Sequence, residues 1–410
     1  MIDAWREVPP TAGLPLHWRD FVPRHKTPSL EEALAEFLNV PSVRLECSGT
    51  AALVIALTTL KRASSRRSVI IPAYTCPLVA LAVLHCGLTP LLCDLAPGSI
   101  DFCADSLEHL CGSDVLAIIA THVGGRLCDI DRVTTIARRN GAFVIEDAAQ
   151  SLGASWRGKK AGAISDIGFF SLAAGKGLTL YEGGLLAARD AAVRQAMAET
   201  SAEIAPYRVL WEWRRSLQLL GYEFFYRPGM LRLAYGRPLR RALRKGRLTA
   251  AVGDEFSAAI PLHRVGAFRR NVGANATARL PAFLDALSMQ AAIRRRLLQS
   301  IAGVTVIGDS DGARGTWPFF MVMMPTATAR DQALDRLWTA GVGVTRLFVH
   351  ALPDYAYLSA QLGAYDVPNA RNFAAHMLTI SNSPWLIEKD FHRICAVLAE
   401  VAGASSDNRR

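Results

Sequence analysis

The sequence predicts an α/β fold: a large domain on a mostly parallel sheet, followed by a smaller C-terminal α+β domain. Two observations carry this reading. Between residues 43 and 188, apolar runs of strand length alternate with segments of helical period. One stretch, strand Val115 to His122, helix Asp129 to Arg139 and strand Ala142 to Glu146, has the spacing of a βαβ unit, whose crossover favours parallel strands. From Val304 onward the pattern changes to short strands with two short helices. A chain of 410 residues, 51% apolar and 20% charged, is long and apolar enough for both parts and does not read as disordered.

Taken in order, residues 1–28 read as an extended, proline-punctuated lead-in. Ser29 with Glu32 three positions on fits a capping box that opens a helix to about Leu38. A short strand from Val43 turns at Ser48-Gly49-Thr50 into a helix over Ala51 to Lys61. Ser68 to Pro72 is a strand, followed by an apolar helix to His85 and a strand over Leu88 to Asp94. Beyond the βαβ unit, Ile167 to Ser171 and Leu185 to Ala188 read as further strands. Residues 206–247 then alternate arginine with aromatics and leucine at helical spacing, in two or three short pieces broken near Gly229 and Pro238. A helical stretch from about Val265 to Ser300, kinked at Pro281, leads away. The C-terminal part reads as strand Trp317 to Met324, helix Ala329 to Ala340, strand Val342 to Leu347, strand Leu378 to Ser381 and a closing helix Asp390 to Val401, with a loose tail over Ala404 to Arg410. The predicted division is 1–205, a basic aromatic-rich insertion with connecting helices over 206–300, and 301–410.

The most apolar stretch, Leu78 to Cys93, is interrupted by His85, Gly87 and Pro90, too short and broken to span a bilayer. The first ten residues hold acids and two prolines and lack the apolar centre of a signal peptide. Eight cysteines show neither a CxxC pair nor a Cys/His ligand spacing, so a cytoplasmic, reduced protein without a metal is expected. The net charge of +10 is concentrated: residues 206–247 hold ten arginines and one lysine against two glutamates. No recognition motif accompanies that charge, which argues against nucleic acid.

The stretch Val144 to Gly184 carries the candidate chemistry. An apolar strand ends in Glu146 and Asp147, and a second strand ending at Ser171 leads to Lys176, set between Gly175 and Gly177. Ligands of parallel sheets sit beyond the carboxyl ends of the strands. Ser48-Gly49-Thr50 at a helix start offers open N–H groups to an anion, although alone it is only a cap. Lysine, acid and anion site together form the set that pyridoxal phosphate requires: a lysine for the aldehyde, an acid for the pyridine nitrogen and a cradle for the phosphate.

Several segments are specific in this order: Ser48-Gly49-Thr50-Ala51-Ala52-Leu53, Ile71-Pro72-Ala73-Tyr74-Thr75, His122 with Gly124, Glu146-Asp147-Ala148-Ala149-Gln150-Ser151, Asp166 to Ser171, and Lys176 six residues before Glu182-Gly183-Gly184. On these the chain resembles the DegT/DnrJ/EryC1/StrS family of sugar aminotransferases, fold type I enzymes that use pyridoxal 5'-phosphate. The resemblance implies that Lys176 is the Schiff-base lysine and Asp147 the partner of the ring nitrogen. By it, Gln150 contacts the ring hydroxyl, and Gly49, Thr50, Ala51 and Ser171 hold the phosphate. It also implies an amino donor such as glutamate, a keto-sugar acceptor and a homodimer. Keeping Lys176 argues for amino transfer, because relatives with histidine there act as dehydratases.

Departures from the family pattern are Cys76 where an aromatic usually stacks on the ring, with Tyr74 as a substitute, and Ala173 in place of a histidine. On the substrate side Arg264 and His350 match family positions only weakly. The basic segment has three readings: packing on a dimer partner, binding an acidic substrate, or a peripheral contact of 206–247 with the inner face of a membrane. The alternatives to an aminotransferase are a membrane-associated regulatory or binding protein that keeps the fold without turnover, and another pyridoxal phosphate reaction on a lipid-borne substrate.

Overall fold

The computed structural model of the chain describes residues 6–23 and 28–407. Its strands in chain order are β1 (Arg44–Glu46), β2 (Ser68–Pro72), β3 (Thr89–Cys93), β4 (Val115–Thr121), β5 (Phe143–Asp147), β6 (Ser155–Trp156), β7 (Lys159–Lys160), β8 (Ile167–Ser171), β9 (Gly184–Ala188), β10 (Thr305–Val306), β11 (Ala313–Arg314), β12 (Phe319–Met323), β13 (Val344–Thr345) and β14 (Met377–Ser381). The central sheet has the order β1-β9-β8-β5-β4-β2-β3. Its pairs from β8 to β3 are parallel, and β9 runs antiparallel to both β8 and β1. All strands except β9 therefore point the same way, and their C-terminal ends open on one edge.

Both faces of this sheet are covered, so its strands read as continuous apolar runs instead of alternating ones. Val69, Ile119 and Ile145 pack with the helix Gly49–Arg62 on one face. Ile70, Ile118 and Val144 pack with the helices Leu30–Leu38 and Ile130–Asn140 on the other. The capping box at Ser29 forms: its hydroxyl accepts from the Glu32 N–H at 3.2 Å, and the Glu32 carboxylate accepts from the Ser29 N–H at 2.8 Å. A second sheet, β10-β12-β14-β13, is antiparallel throughout and is backed by the helices Ala327–Leu337 and Glu388–Asp407. A small sheet β11-β6-β7 joins the two regions.

Several elements differ from expectation. The helices Ala104–Leu110, Ala191–Ile204, Ala356–Leu362 and Pro368–His376 were not legible. Ala191–Ile204 buries only Met197, Thr200 and Ser201, too thin a stripe to read as an amphipathic face. The insertion is one long helix, Val209–Phe225, then Pro228–Leu231, a π-helical turn Arg232–Gly236 and the helix Arg237–Arg244. The break falls before Pro228, not at Gly229. Pro238 does not interrupt the chain: the helical backbone runs on through Gly236 and Arg237, and the wider π-helical turn Arg232–Gly236 just before it accommodates a residue with no N–H to donate. Pro281 stands in the first turn of the helix Leu280–Gln299, where its missing N–H costs no hydrogen bond, and does not kink it; the break lies at Ala278-Arg279. The last helix runs through Asp407, so the expected loose tail is helical to that point, and residues 408–410 lie outside the described residues.

The lead-in is a strap that joins distant parts of the chain. Its Glu7 N–H donates to Pro228 O at 2.8 Å, Val8 to Gly341 O at 2.9 Å, Ala12 to Pro318 O at 2.9 Å and Leu14 to Gly177 O at 3.2 Å. Val8, Ala12, Leu14 and Leu16 are buried. Residues 1–5 and 24–27 of the lead-in lie outside the described residues.

Candidate active site

At the open edge of the central sheet lies a cavity of about 230 Å³, whose walls include Gln150, Lys176, Asp254, Phe319, Arg346 and Phe348. Asp147 closes β5 and is 4% exposed. One of its oxygens accepts from the Ala149 N–H at 3.1 Å. Burial pushes its carboxyl up to about 6, against the opposing pull of the Ala149 N–H, Lys176 and His122. Lys176 shows the complementary shift: burial holds it below the ordinary lysine value, while the thiol of Cys76 and the carboxyl of Asp147 draw it back. The acid and the lysine thus lie within each other's field, each short of a full charge partner.

The neighbouring carboxylate does different work. Glu146 is fully buried and accepts N–H groups from Gly162, Ile164 and Ser165 at 2.7–2.8 Å, plus His122 Nε2 at 3.1 Å. His122 Nδ1 accepts from the Cys128 N–H at 3.3 Å, which places the ring proton on Nε2 toward Glu146. With its acceptor capacity filled, Glu146 fixes the loop behind the sheet edge and leaves the chemistry to Asp147. Cys76, where an aromatic is usual in the family, sits within the field of Lys176 and Asp147, and burial pushes its thiol up to about 12.

The predicted phosphate elements come together. A Cβ on Gly49 would lie 3.2 Å from Ser171 Cβ and 3.3 Å from Phe170 O, tight contacts that glycine avoids where the start of the helix Gly49–Arg62 approaches the end of β8. Ser48 Oγ accepts from the Ala51 N–H at 3.0 Å. Ala51 therefore has its amide already taken up by the cap, and Gly49 and Thr50 hold the open amides among the described residues. Gln150 fits its expected place: it lines the cavity, and its side-chain oxygen accepts from the Gly124 N–H at 2.7 Å, which turns its NH2 toward the space.

Three expected residues stand elsewhere. Tyr74 is 1% exposed, and its hydroxyl is held by both the N–H and the carbonyl of Phe348 at 3.2 Å. Its ring packs edge-on against Phe348 and Phe373, so it joins the two halves of the core and is no substitute at Cys76. Arg264 donates to Ala205 O at 3.0 Å and Ala202 O at 3.2 Å, beside β1 and away from the Lys176 cavity. His350 lies just behind the cavity wall, its ring against Tyr355 at 5.3 Å.

Residues not singled out by sequence complete the wall. Asp254, 3% exposed, accepts from the Val349 N–H at 2.8 Å and the Tyr355 hydroxyl at 2.6 Å, and so holds the 346–350 loop over the cavity. Arg346 donates to Val349 O at 2.7 Å, and its Nε has no partner among the described residues. The insertion reaches the lysine loop through Tyr222, whose hydroxyl accepts from the Gly175 N–H at 3.1 Å. It is anchored by Glu182, whose carboxylate takes Arg215, Trp211 Nε1 at 3.2 Å and His263 Nε2 at 3.4 Å. Burial alone would raise the Glu182 carboxyl, but these three donors hold it below the usual value.

A profile of the DegT/DnrJ/EryC1/StrS aminotransferase family matches residues 22–206 and 263–399. The chain belongs to this family. The match skips residues 207–262, which are the insertion and the loop carrying Asp254. The chain is 37% identical over 160 residues to GDP-perosamine synthase of Caulobacter vibrioides, covering 39% of this chain and 43% of that protein. It is 31% identical over 199 residues to the L-glutamine:2-deoxy-scyllo-inosose aminotransferase of Streptomyces fradiae, covering 48% and 45%. The aligned stretch is thus less than half of either relative. In three dimensions it resembles the PLP-form of a putative sugar aminotransferase, Spr1654 of Streptococcus pneumoniae, with a TM-score of 0.74, 17% identity and coverage of 97% and 99%. DesI, solved in the presence of its TDP-sugar product, gives a TM-score of 0.74 at 18% identity and coverage of 100% and 97%. The fold is that of the type I pyridoxal phosphate enzymes.

Proposed function

We propose that this family member is a pyridoxal phosphate-dependent aminotransferase that moves an amino group, with glutamate as donor, to a keto-sugar used in glycan synthesis. The observation that carries the reading is the convergence of Asp147, Lys176 and the Gly49–Ser171 contact on one sheet edge. The residues fit the cofactor: a buried carboxyl raised to about 6 and held by one N–H is short of a cationic partner, which a protonated pyridine nitrogen supplies. When bound, pyridoxal phosphate supplies the aldehyde and the ring that draws off electrons when a Cα–H bond breaks.

The protein's own groups do the rest. Asp147 keeps the proton on the ring nitrogen. Gln150 NH2 donates to the ring hydroxyl, and the Gly49 and Thr50 amides with Ser171 Oγ hold the phosphate at a helix start. Lys176 Nζ takes the proton from the substrate Cα and returns it; burial, which lowers its pKa, favours the neutral form that this needs. The chain acts as a homodimer in this proposal, as the family resemblance implies. Peripheral membrane contact is supported by the helix Val209–Phe225, where Leu210, Trp213, Leu217 and Phe224 form one exposed stripe. No helix among the described residues is long and apolar enough to cross a membrane.

The test is the first half-reaction. Glutamate added to the cofactor-loaded protein should convert bound pyridoxal phosphate stoichiometrically to its amine form, read by loss of the visible absorption. Bound cofactor that does not respond to any amino acid would instead favour a binding or regulatory protein, the reading that Cys76 and Ala173 support.

A further inference from the structure

Beside the Lys176 cavity lies a second, larger one of about 500 Å³, within the range of small-molecule sites. Tyr181, Gly221, Tyr222, Phe225, Tyr226 and Leu231 line it, nearly all from the insertion. The two cavities share Pro10, Thr11, Ala174, Gly175 and Tyr235 as walls, so the groove lies directly alongside the site. Its polar tips are turned away. The Tyr222 hydroxyl accepts from the Gly175 N–H and the Tyr226 hydroxyl donates to Thr11 O, both at 3.1 Å, while the two rings stack at 4.4 Å. Gln218 also lines the groove, and its oxygen is held by Arg215 at 2.7 Å. Gly221 keeps the groove open: a Cβ there would meet only the Phe225 ring, at 3.8 Å, although glycine inside a helix is unfavourable. On the same insertion Arg208, Arg214, Arg237 and Arg241 are exposed and have no carboxylate partner among the described residues.

We propose that the groove receives the hydrocarbon chain of an amphiphilic acceptor, a keto compound carried through an anionic link, whose keto end enters the Lys176 cavity. The occupant is a chain because the walls are mostly aromatic and aliphatic and the hydroxyls of Tyr222 and Tyr226 are already bonded to backbone. A base and ribose would bury more polar atoms in the groove than its walls can pair. The anionic link matches Arg214, which is one turn before the lining residue Gln218 on the same helix. This inference rests on the aminotransferase reading and names the class of its acceptor.

The experiment uses the cofactor-loaded protein and 11-(dansylamino)undecanoic acid as the chain probe. Saturable probe fluorescence is expected, and Gly221→Phe, which fills the groove, should weaken binding at least tenfold. Leu210→Ser, on the exposed stripe, should leave it unchanged. The glutamate half-reaction is measured on each variant, and its completion shows that the variant is folded and loaded. A second chain-filling variant, Leu231→Phe, should repeat the loss. If the intact protein binds no probe, as it would were a second copy to cover the groove, or if Gly221→Phe binds it normally, the proposal fails. A failed half-reaction with normal probe binding would instead sink the aminotransferase reading alone.

Discussion

Replacing Asp147 by asparagine should stabilise the cofactor-free protein while impairing the loaded one. The buried carboxyl titrates near 6 in the folded chain, about two units above an ordinary aspartate. A raised carboxylate pKa means the folded state holds the proton more tightly, so this residue costs stability as pH rises from the unfolded pKa through 6, and in full above that. Two units correspond to ~3 kcal/mol at pH 8, and to about half of that at pH 5. The side-chain oxygen of an asparagine could still accept the Ala149 N–H, so the substitution removes the charge without opening that bond. Urea denaturation of the cofactor-free Asp147→Asn protein should therefore show a gain approaching ~3 kcal/mol at pH 8 that roughly halves at pH 5. In the same variant the cofactor should bind more weakly and the glutamate half-reaction should slow by orders of magnitude. Equal stability of the two proteins at pH 8, or a gain that does not shrink on acidification, would refute the claim that burial strains this carboxyl.

Further outcomes follow from the same geometry. Lys176→Ala should abolish both the visible absorption of the lysine-bound cofactor and transamination; a surviving absorption band rules out the assignment. Tyr222→Phe strands the Gly175 N–H and should cost ~1–3 kcal/mol by denaturation, with kcat falling more than KM rises. Glu182→Gln weakens the clamp on Arg215 and His263, so limited proteolysis within 206–247 should quicken while the sheet stays resistant. The protein should float with anionic liposomes, less so at high salt, and Trp213→Ser with Leu217→Ser should abolish it; sedimentation of the unaltered chain without the liposomes would end the membrane reading.

The parts of the site legible in sequence are those placed by local structure. Asp147 and Ser171 end strands, Gly49 starts a helix, and Lys176 follows five residues after β8, so apolar runs and their punctuation locate them. What stayed hidden depends on contacts far apart in the chain. Asp254 meets Val349 across 95 positions, and nothing in Gly253-Asp254-Glu255 distinguishes it from a solvated turn. Tyr222 meets Gly175 across 47 positions, inside a segment whose arginines dominate any reading. Tyr74 shows the opposite error: a tyrosine beside the site looked available to the cofactor, yet a buried phenol takes the first backbone partners it can reach, here Phe348. Pro238 and Pro281 misled, since neither breaks or kinks its helix where that was expected, whereas the break expected near Gly229 falls just before Pro228.

The strap at residues 6–16 sets a timetable for biosynthesis. It leaves the ribosome before its partners, yet its hydrogen bonds reach Gly177, Pro228, Pro318 and Gly341. At typical elongation rates the segment waits roughly 15–60 s for Pro318 to be made. Ala12 and Val8 close on Pro318 and Gly341, so the strap that carries Leu14 onto Gly177, next to Lys176, is fully anchored only after those residues are made. Nascent chains arrested before the β12 region should therefore be unable to retain the cofactor, however complete their central sheet.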